Sequence, residues 1–232
     1  MDNKSKQAIL LIHGFGGDER ELLHLYESLQ ERSAAVFTVR LAGHGGSRKE
    51  FSQSVYQEWL KSVEMKLDEL ETNYQQITLV GFSMGGLLAI QHSERQSIQQ
   101  IIFCNTPMHL YNFSVMTSDI LKGLLFKSER HRLLYYFSSA GNVSLRACLE
   151  FLKLWNLTKK KLRSSFPEEM KQKILILQNR RDETTHYKSA DYILKCLDQK
   201  ASIKLYDGGT HQMFESENKD QAVQDILTFL NV

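Results

Sequence analysis

The sequence predicts an α/β architecture: a mostly parallel sheet flanked by helices on both faces, interrupted by one helical insertion. Three observations carry that expectation. Short apolar runs alternate with segments patterned like helices, the order that βαβ units produce. Several of the runs are continuously apolar, as strands buried on both faces must be. And Ile77–Gly86, ITLVGFSMGG, passes from such a run through Gly81-Phe82-Ser83-Met84-Gly85 into an apolar helix-like segment. That is G-x-S-x-G in the strand–turn–helix setting that gives the pattern meaning.

The elements follow in chain order. Gln7–Ile12, QAILLI, reads as the first strand and ends in His13-Gly14-Phe15-Gly16-Gly17. Asp18 can cap a helix that runs to about Arg32. A dinucleotide-binding turn is excluded, because G-x-G-x-x-G would need glycine where Glu19 stands. Ala34–Val39 is the second strand, followed by the glycine-rich loop 41–47. There His44 precedes the candidate nucleophile and reads as a structural histidine. A helix over about Val55–Glu71 presents Trp59, Val63, Leu67 and Leu70 at helical spacing. Ile77–Val80 leads into the Ser83 turn and a helix through His92. Ile98–Cys104 is the next strand, ending in Asn105-Thr106-Pro107.

The alternation then breaks. Residues 108–170 hold no convincing strand and carry helix-patterned apolar groups (Leu121, Leu124 and Leu125; Leu133, Leu134 and Phe137; Leu149, Phe151, Leu152 and Trp155). This segment reads as a cap over the carboxyl edge of the sheet, inserted into a core of residues 1–107 and 171–232. Its excess of Lys and Arg, from Lys122, Lys127, Arg130 and Arg132 through Arg146, Lys153, Lys159, Lys160, Lys161 and Arg163, reads as a solvated helical face. The sheet resumes with Lys173–Leu177 and Ala201–Tyr206, and a helix over about Asn218–Leu230 closes the chain.

Composition bounds the function. A chain of 232 residues suits one sizeable domain. A net charge of +2 gives no reason to invoke nucleic acid. Cys104, Cys148 and Cys196 are odd in number and without C-x-x-C spacing, so free thiols in a reduced, cytoplasmic protein are expected. No run approaches the roughly 20 apolar residues of a membrane span, and the N-terminal run is too short for a signal peptide.

Chemistry gathers where strands end. Ser83 would sit at a helix N-terminus, where free N–H groups and the helix dipole favour the negative charge its attack creates. The backbone N–H groups of Phe15 and Met84 would form the oxyanion hole. Asp182, in the loop after Lys173–Leu177, is the expected acid, with Glu183 as its competitor. His211, in the glycine-bearing loop after the last strand, is the expected base. His186 lies only four residues after Asp182, where it cannot easily face both partners, and Asp207 reads as a turn residue. The order Ser83, Asp182, His211 suits this kind of sheet.

The blocks LLIHGFGG, LAGHG, GFSMGG, CNTPM, LILQNRRDE and GGTHQ, in this order, resemble the serine carboxylesterases of the α/β-hydrolase superfamily, above all the small bacterial carboxylesterases and monoacylglycerol-lipase-like enzymes. The likeness covers nearly the whole chain outside the cap. Two departures stand out. Many relatives open with additional antiparallel strands, for which six residues before Gln7 leave no room. Many also carry a hydrophobic residue and proline shortly after the acid, where this chain has Glu183-Thr184-Thr185-His186. The resemblance implies hydrolysis of short- to medium-chain acyl esters, monoacylglycerols among them, through an acyl-enzyme on Ser83. It implies no metal or organic cofactor, a small-molecule ester as the partner and no stable membrane insertion, and it leaves a homodimer open. A thioesterase or peptidase of the same fold is the runner-up, and a non-catalytic ligand-binding homologue the third reading.

Overall fold

A computed structural model of the chain describes residues 7–32, 34–110, 144–164 and 171–232. Its centre is a six-stranded sheet in the order β2-β1-β3-β4-β5-β6, every neighbouring pair parallel. The strands are β1 (Gln7–Ile12), β2 (Ala35–Val39), β3 (Gln76–Phe82), β4 (Ile98–Cys104), β5 (Lys173–Asn179) and β6 (Ser202–Tyr206). The helices are α1 (Leu23–Gln30), α2 (Arg48–Gln53), α3 (Tyr56–Glu71), α4 (Met84–His92), α5 (Leu145–Ser164), α6 (Lys188–Cys196) and α7 (Lys219–Leu230). Single 3-10 turns stand before α1, at Glu19–Leu22, and before α7, at Met213–Glu215.

The two-residue period of the strands explains why their runs are continuously apolar. Alternate residues feed two different cores. Ala8, Leu10 and Ile12 of β1, with Leu79, Ile101, Phe103, Ile174 and Ile176, pack under α3, α4, α5 and α6. Ile9 and Leu11, with Val80, Phe82, Ile102, Leu175 and Leu177, pack under α1 and α7. On α3 the residues picked out by spacing (Trp59, Val63, Leu67 and Leu70) are all buried, and Trp59 donates its indole N–H to Ser54 Oγ at 3.0 Å.

Several boundaries differ from the sequence reading. β3 and β5 each run two residues further at the carboxyl end, because pairing continues through Phe82 with Cys104 and Asn179 with Tyr206. The expected helix to Arg32 is a 3-10 turn followed by α1, and Asp18 does cap the turn, accepting from Arg20 N–H at 3.0 Å. Residues 48–53, given no element in the sequence reading, form α2. The reason is a capping box: Ser47 Oγ accepts from Glu50 N–H at 3.2 Å, and Glu50 accepts from Ser47 N–H at 2.7 Å.

Of the expected cap, the described residues include α5. This helix lies along the sheet-covering helices α3 and α4, burying Ala147, Leu154 and Leu162 in the first core. Its first half reaches the carboxyl edge, where the Phe151 and Phe15 rings sit 5.1 Å apart. Four of the basic groups expected to face solvent have partners here: Lys153 pairs with Glu150, Lys161 with Glu94, Lys159 lies over the Trp155 ring, and Arg163 donates to Tyr192 Oη. The apolar groups at 121–137 and the basic residues Lys122, Lys127, Arg130 and Arg132 lie outside the described residues. Among the described residues, no helix is long and apolar enough to cross a membrane.

Candidate active site

Parallel strands deliver all their carboxyl ends to one edge, and the expected site residues meet there. Ser83 links β3 to α4 with φ 50° and ψ −119°, a region L residues rarely occupy. Surrounding contacts hold it so. The Ser83 amide donates to the Cys104 carbonyl at 2.8 Å. A Cβ on Gly85 would fall 2.0 Å from the Ile12 carbonyl oxygen, and one on Gly81 2.4 Å from the Gly86 amide nitrogen. Glycine at both positions is therefore what lets α4 leave the sheet this sharply.

Ser83 Oγ lies 2.9 Å from His211 Nε2, and His211 Nδ1 lies 2.8 Å from Asp182 Oδ2. With its proton on Nδ1, the imidazole donates to Asp182 and leaves Nε2 as acceptor for the Ser83 hydroxyl. Asp182 is fully buried. Its other oxygen accepts the Thr184 and Thr185 amides at 2.8 and 2.7 Å, which fixes the carboxylate plane. Burial alone pushes the imidazole pKa down. The charge and hydrogen bond of Asp182, with Glu183 and Glu21 beyond it, outweigh burial and hold it above the ordinary histidine value.

The loop carrying His211 is held by its backbone. Asn105, at φ 47° just past β4, donates to the His211 carbonyl at 2.8 Å and accepts the Asn179 amide at 2.9 Å. Asn179 in turn donates to the Thr210 carbonyl at 2.8 Å. Glu183, the competing acid, accepts the backbone amide of His211 at 3.0 Å, while the ring Nδ1 bonds Asp182. Burial, then the neighbouring Asp182 charge, raises the Glu183 carboxyl above the usual range. None of these backbone-holding roles was read from the sequence. The one signal available was polar residues, Asn105 and Asn179, closing runs otherwise fit for a buried strand.

The second loop is the glycine-rich turn after β1. His13 is fully buried; its Nδ1–H donates to the Gly14 carbonyl at 2.9 Å, and its Nε2 accepts the Leu41 amide at 3.2 Å. A peptide unit is planar, so fixing the Gly14 carbonyl also fixes the direction of the Phe15 N–H. Among the described residues neither the Phe15 nor the Met84 amide has a protein acceptor. The Phe15 ring packs against Phe51, Trp59 and Phe151.

The remaining candidates stand apart from the Ser83–His211–Asp182 line. His44 donates Nδ1–H to the Ala42 carbonyl at 3.0 Å, and burial lowers its pKa to about 4, so it stays neutral. His186 accepts the Lys188 amide at the start of α6. Asp207 is exposed and pairs with Arg180.

The chain is similar to known proteins in sequence and in fold. The family model Hydrolase_4, described as serine aminopeptidase, S33, matches residues 3–137. The chain is 28% identical over 116 residues to a carboxylesterase of Bacillus subtilis (strain 168), covering 50% of this chain and 47% of that one. It is 33% identical over 86 residues to a thermostable monoacylglycerol lipase of Bacillus sp. (strain H-257), covering 37% and 34%. The matched segments span about half or less of these curated relatives. Among solved structures, one of the metagenome-derived lipolytic enzymes LipS and LipT superposes with a TM-score of 0.77 at 18% identity, covering 98% of this chain and 94% of that one. At that identity the likeness is one of fold.

Proposed function

The chain belongs to the Hydrolase_4 family of α/β hydrolases, and from that premise we propose a serine carboxylesterase acting on short- to medium-chain acyl esters. The observation that carries the proposal is the continuous line from the strained Ser83 through His211 to buried Asp182. In this reading Ser83 is the nucleophile, His211 the general base, Asp182 the orienting acid, and Phe15 and Met84 the oxyanion donors.

The steps follow from the hydrogen bonds. Nε2 of neutral His211 takes the Ser83 proton as Oγ bonds to the ester carbonyl carbon. The carbonyl electrons move to oxygen, where two backbone N–H groups await; each such donor contributes on the order of 10²–10³ in rate. Asp182 stabilises the imidazolium. The tetrahedral intermediate then expels the alkoxide, which takes the proton from Nε2, and the acyl group stays on Ser83. Water attacks next, giving its proton to Nε2, and the acid leaves as Oγ is reprotonated. Residues 108–170 are read as an insertion that helps to bound the acyl site, supported by Phe151 resting on Phe15 beside the oxyanion loop.

Hydrolysis of p-nitrophenyl esters from acetate to laurate tests the reading. Ser83→Ala should lower kcat by roughly 10⁴–10⁶ while the protein stays folded. Turnover that survives in Ser83→Ala would end the proposal. Activity confined to thioesters or to peptide amides would move it to another acyl transfer by the same residues.

A further inference from the structure

Glu21 lies outside the Ser83–His211–Asp182 line, yet its carboxylate touches both loops that the line depends on. Oε2 accepts the Gly14 amide at 2.9 Å, and Oε1 accepts the Gln212 side-chain N–H at 2.9 Å. Gly14 immediately precedes Phe15, and Gln212 immediately follows His211. One rigid, planar group therefore joins two loops distant in the chain, Gln212 lying 191 residues beyond Glu21. Its seat is specific. A Cβ on Gly17 would come 2.2 Å from the Glu21 carboxyl carbon, so only glycine leaves room for the carboxylate there. The 3-10 turn that carries Glu21 is itself anchored by Asp18.

The bond to Gly14 completes the hold on the oxyanion loop. The Gly14 N–H belongs to one peptide plane, and the Gly14 carbonyl, taken by His13, to the next. With both planes fixed, the Phe15 N–H on the second plane has one direction. We infer that Glu21 is a positioning residue, a carboxylate strap that keeps the Phe15 amide and the His211 imidazole in register. The inference rests on the esterase reading of Ser83 and adds a residue to it. It also accounts for Gln212, whose Nε2 reaches Glu21 while its buried Oε1 has no partner among the described residues. In Glu21→Gln the new oxygen can keep the Gly14 amide. Its new NH2 then meets Gln212 turned over, with Oε1 now accepting, so the strap survives without charge.

The test is the rate at which an alkyl fluorophosphonate labels Ser83, read with kcat and KM on p-nitrophenyl butyrate. The probe forms a tetrahedral adduct that needs both loops in register, and phosphorus gains the Ser83 oxygen as fluoride leaves. Glu21→Ala should label up to about 10²-fold more slowly, the scale of a misplaced reacting group, with KM changed less than about threefold. Glu21→Gln should stay within a few-fold of wild type, a rescue that simple loss of packing would not give. Gln212→Ala leaves the Glu21–Gly14 bond intact and should slow labelling by a smaller factor even if Glu21→Ala fails to fold. The double variant should be no slower than Glu21→Ala alone, because the second change cuts a strap already cut. Wild-type labelling rates in a folded Glu21→Ala or Gln212→Ala, or effects that simply multiply, would overturn the strap. A wild-type protein that is not labelled at all would overturn the Ser83 reading, and the strap with it.

Discussion

The middle of the sheet and its carboxyl edge are a few residues apart, and they obey opposite rules. In the middle, the side chains of Leu10, Leu79 and Ile101 are wholly buried, have no polar atoms to satisfy, and exchange only van der Waals contacts with their neighbours. At the edge, His13, Ser83, Asn105, Asn179, Asp182 and His211 are buried too, and all are polar. Each must find a hydrogen-bond partner or cost stability. The core is therefore specified by apolar volume in roughly the right place, which many sequences satisfy. The edge is specified by pairs of named atoms. The lesson is that changes in the middle should be read in melting temperature, and changes at the edge in kcat.

The comparison breaks most visibly at Asp182. Asp182→Asn keeps the shape of the acid but presents an amide to His211 Nδ1, favouring the tautomer that cannot accept the Ser83 proton. A fall in kcat on the order of 10⁴ is expected with the melting temperature nearly unchanged. A loss below tenfold, measured on a p-nitrophenyl ester, would move Asp182 into the structural class.

Asn105 sharpens it. Asn105→Gly tolerates the left-handed backbone but deletes the bonds to the His211 carbonyl and the Asn179 amide. The His211 loop then loses its register, so kcat should fall by up to about 10²-fold with KM little changed. Steady-state kinetics beside a thermal melt would separate this from general loosening.

A smaller effect concerns charge. In the proposed mechanism His211 is neutral when it acts as base, and its pKa is held above the ordinary value of about 6.5. Activity should therefore fall as pH drops through a point above 6.5. Glu183→Gln removes one of the negative charges that favour the imidazolium, so the acid limb of kcat/KM should move to lower pH. A limb that stays put would mean that Glu183 acts through its bond to the His211 amide alone.

The last prediction is for a change with no catalytic effect. Leu10→Ala should cost about 2–5 kcal/mol of stability, lowering the melting temperature by several degrees or more, and leave kcat within about twofold. Loss of kcat at a temperature where the variant is still folded would show that middle and edge are coupled.

The same contrast explains what could be read from the sequence. β1 and β4 were legible to the residue because continuous apolar runs between polar breaks leave little choice. Ser83 announced itself through glycines on both sides, since the backbone problem and its solution are adjacent in the chain. His211 and Asp182 were reachable through their loops. Glu21, Asn105, Asn179 and Gln212 were not, because their meaning lies in partners as far as 191 residues away that only folding supplies. The short helix α2 was missed for a different reason. Its Ser47–Glu50 capping box was present in the sequence but lay inside a loop rich in glycine.

The measurement closest to the centre of the account is to quench the protein during turnover of a p-nitrophenyl ester and locate the acyl group by peptide mass spectrometry. The account predicts one acylated peptide, the one holding Ser83, appearing and decaying at the rate of turnover and missing in Ser83→Ala. Turnover with no acyl group on the protein, or with the acyl group on another residue, would contradict it.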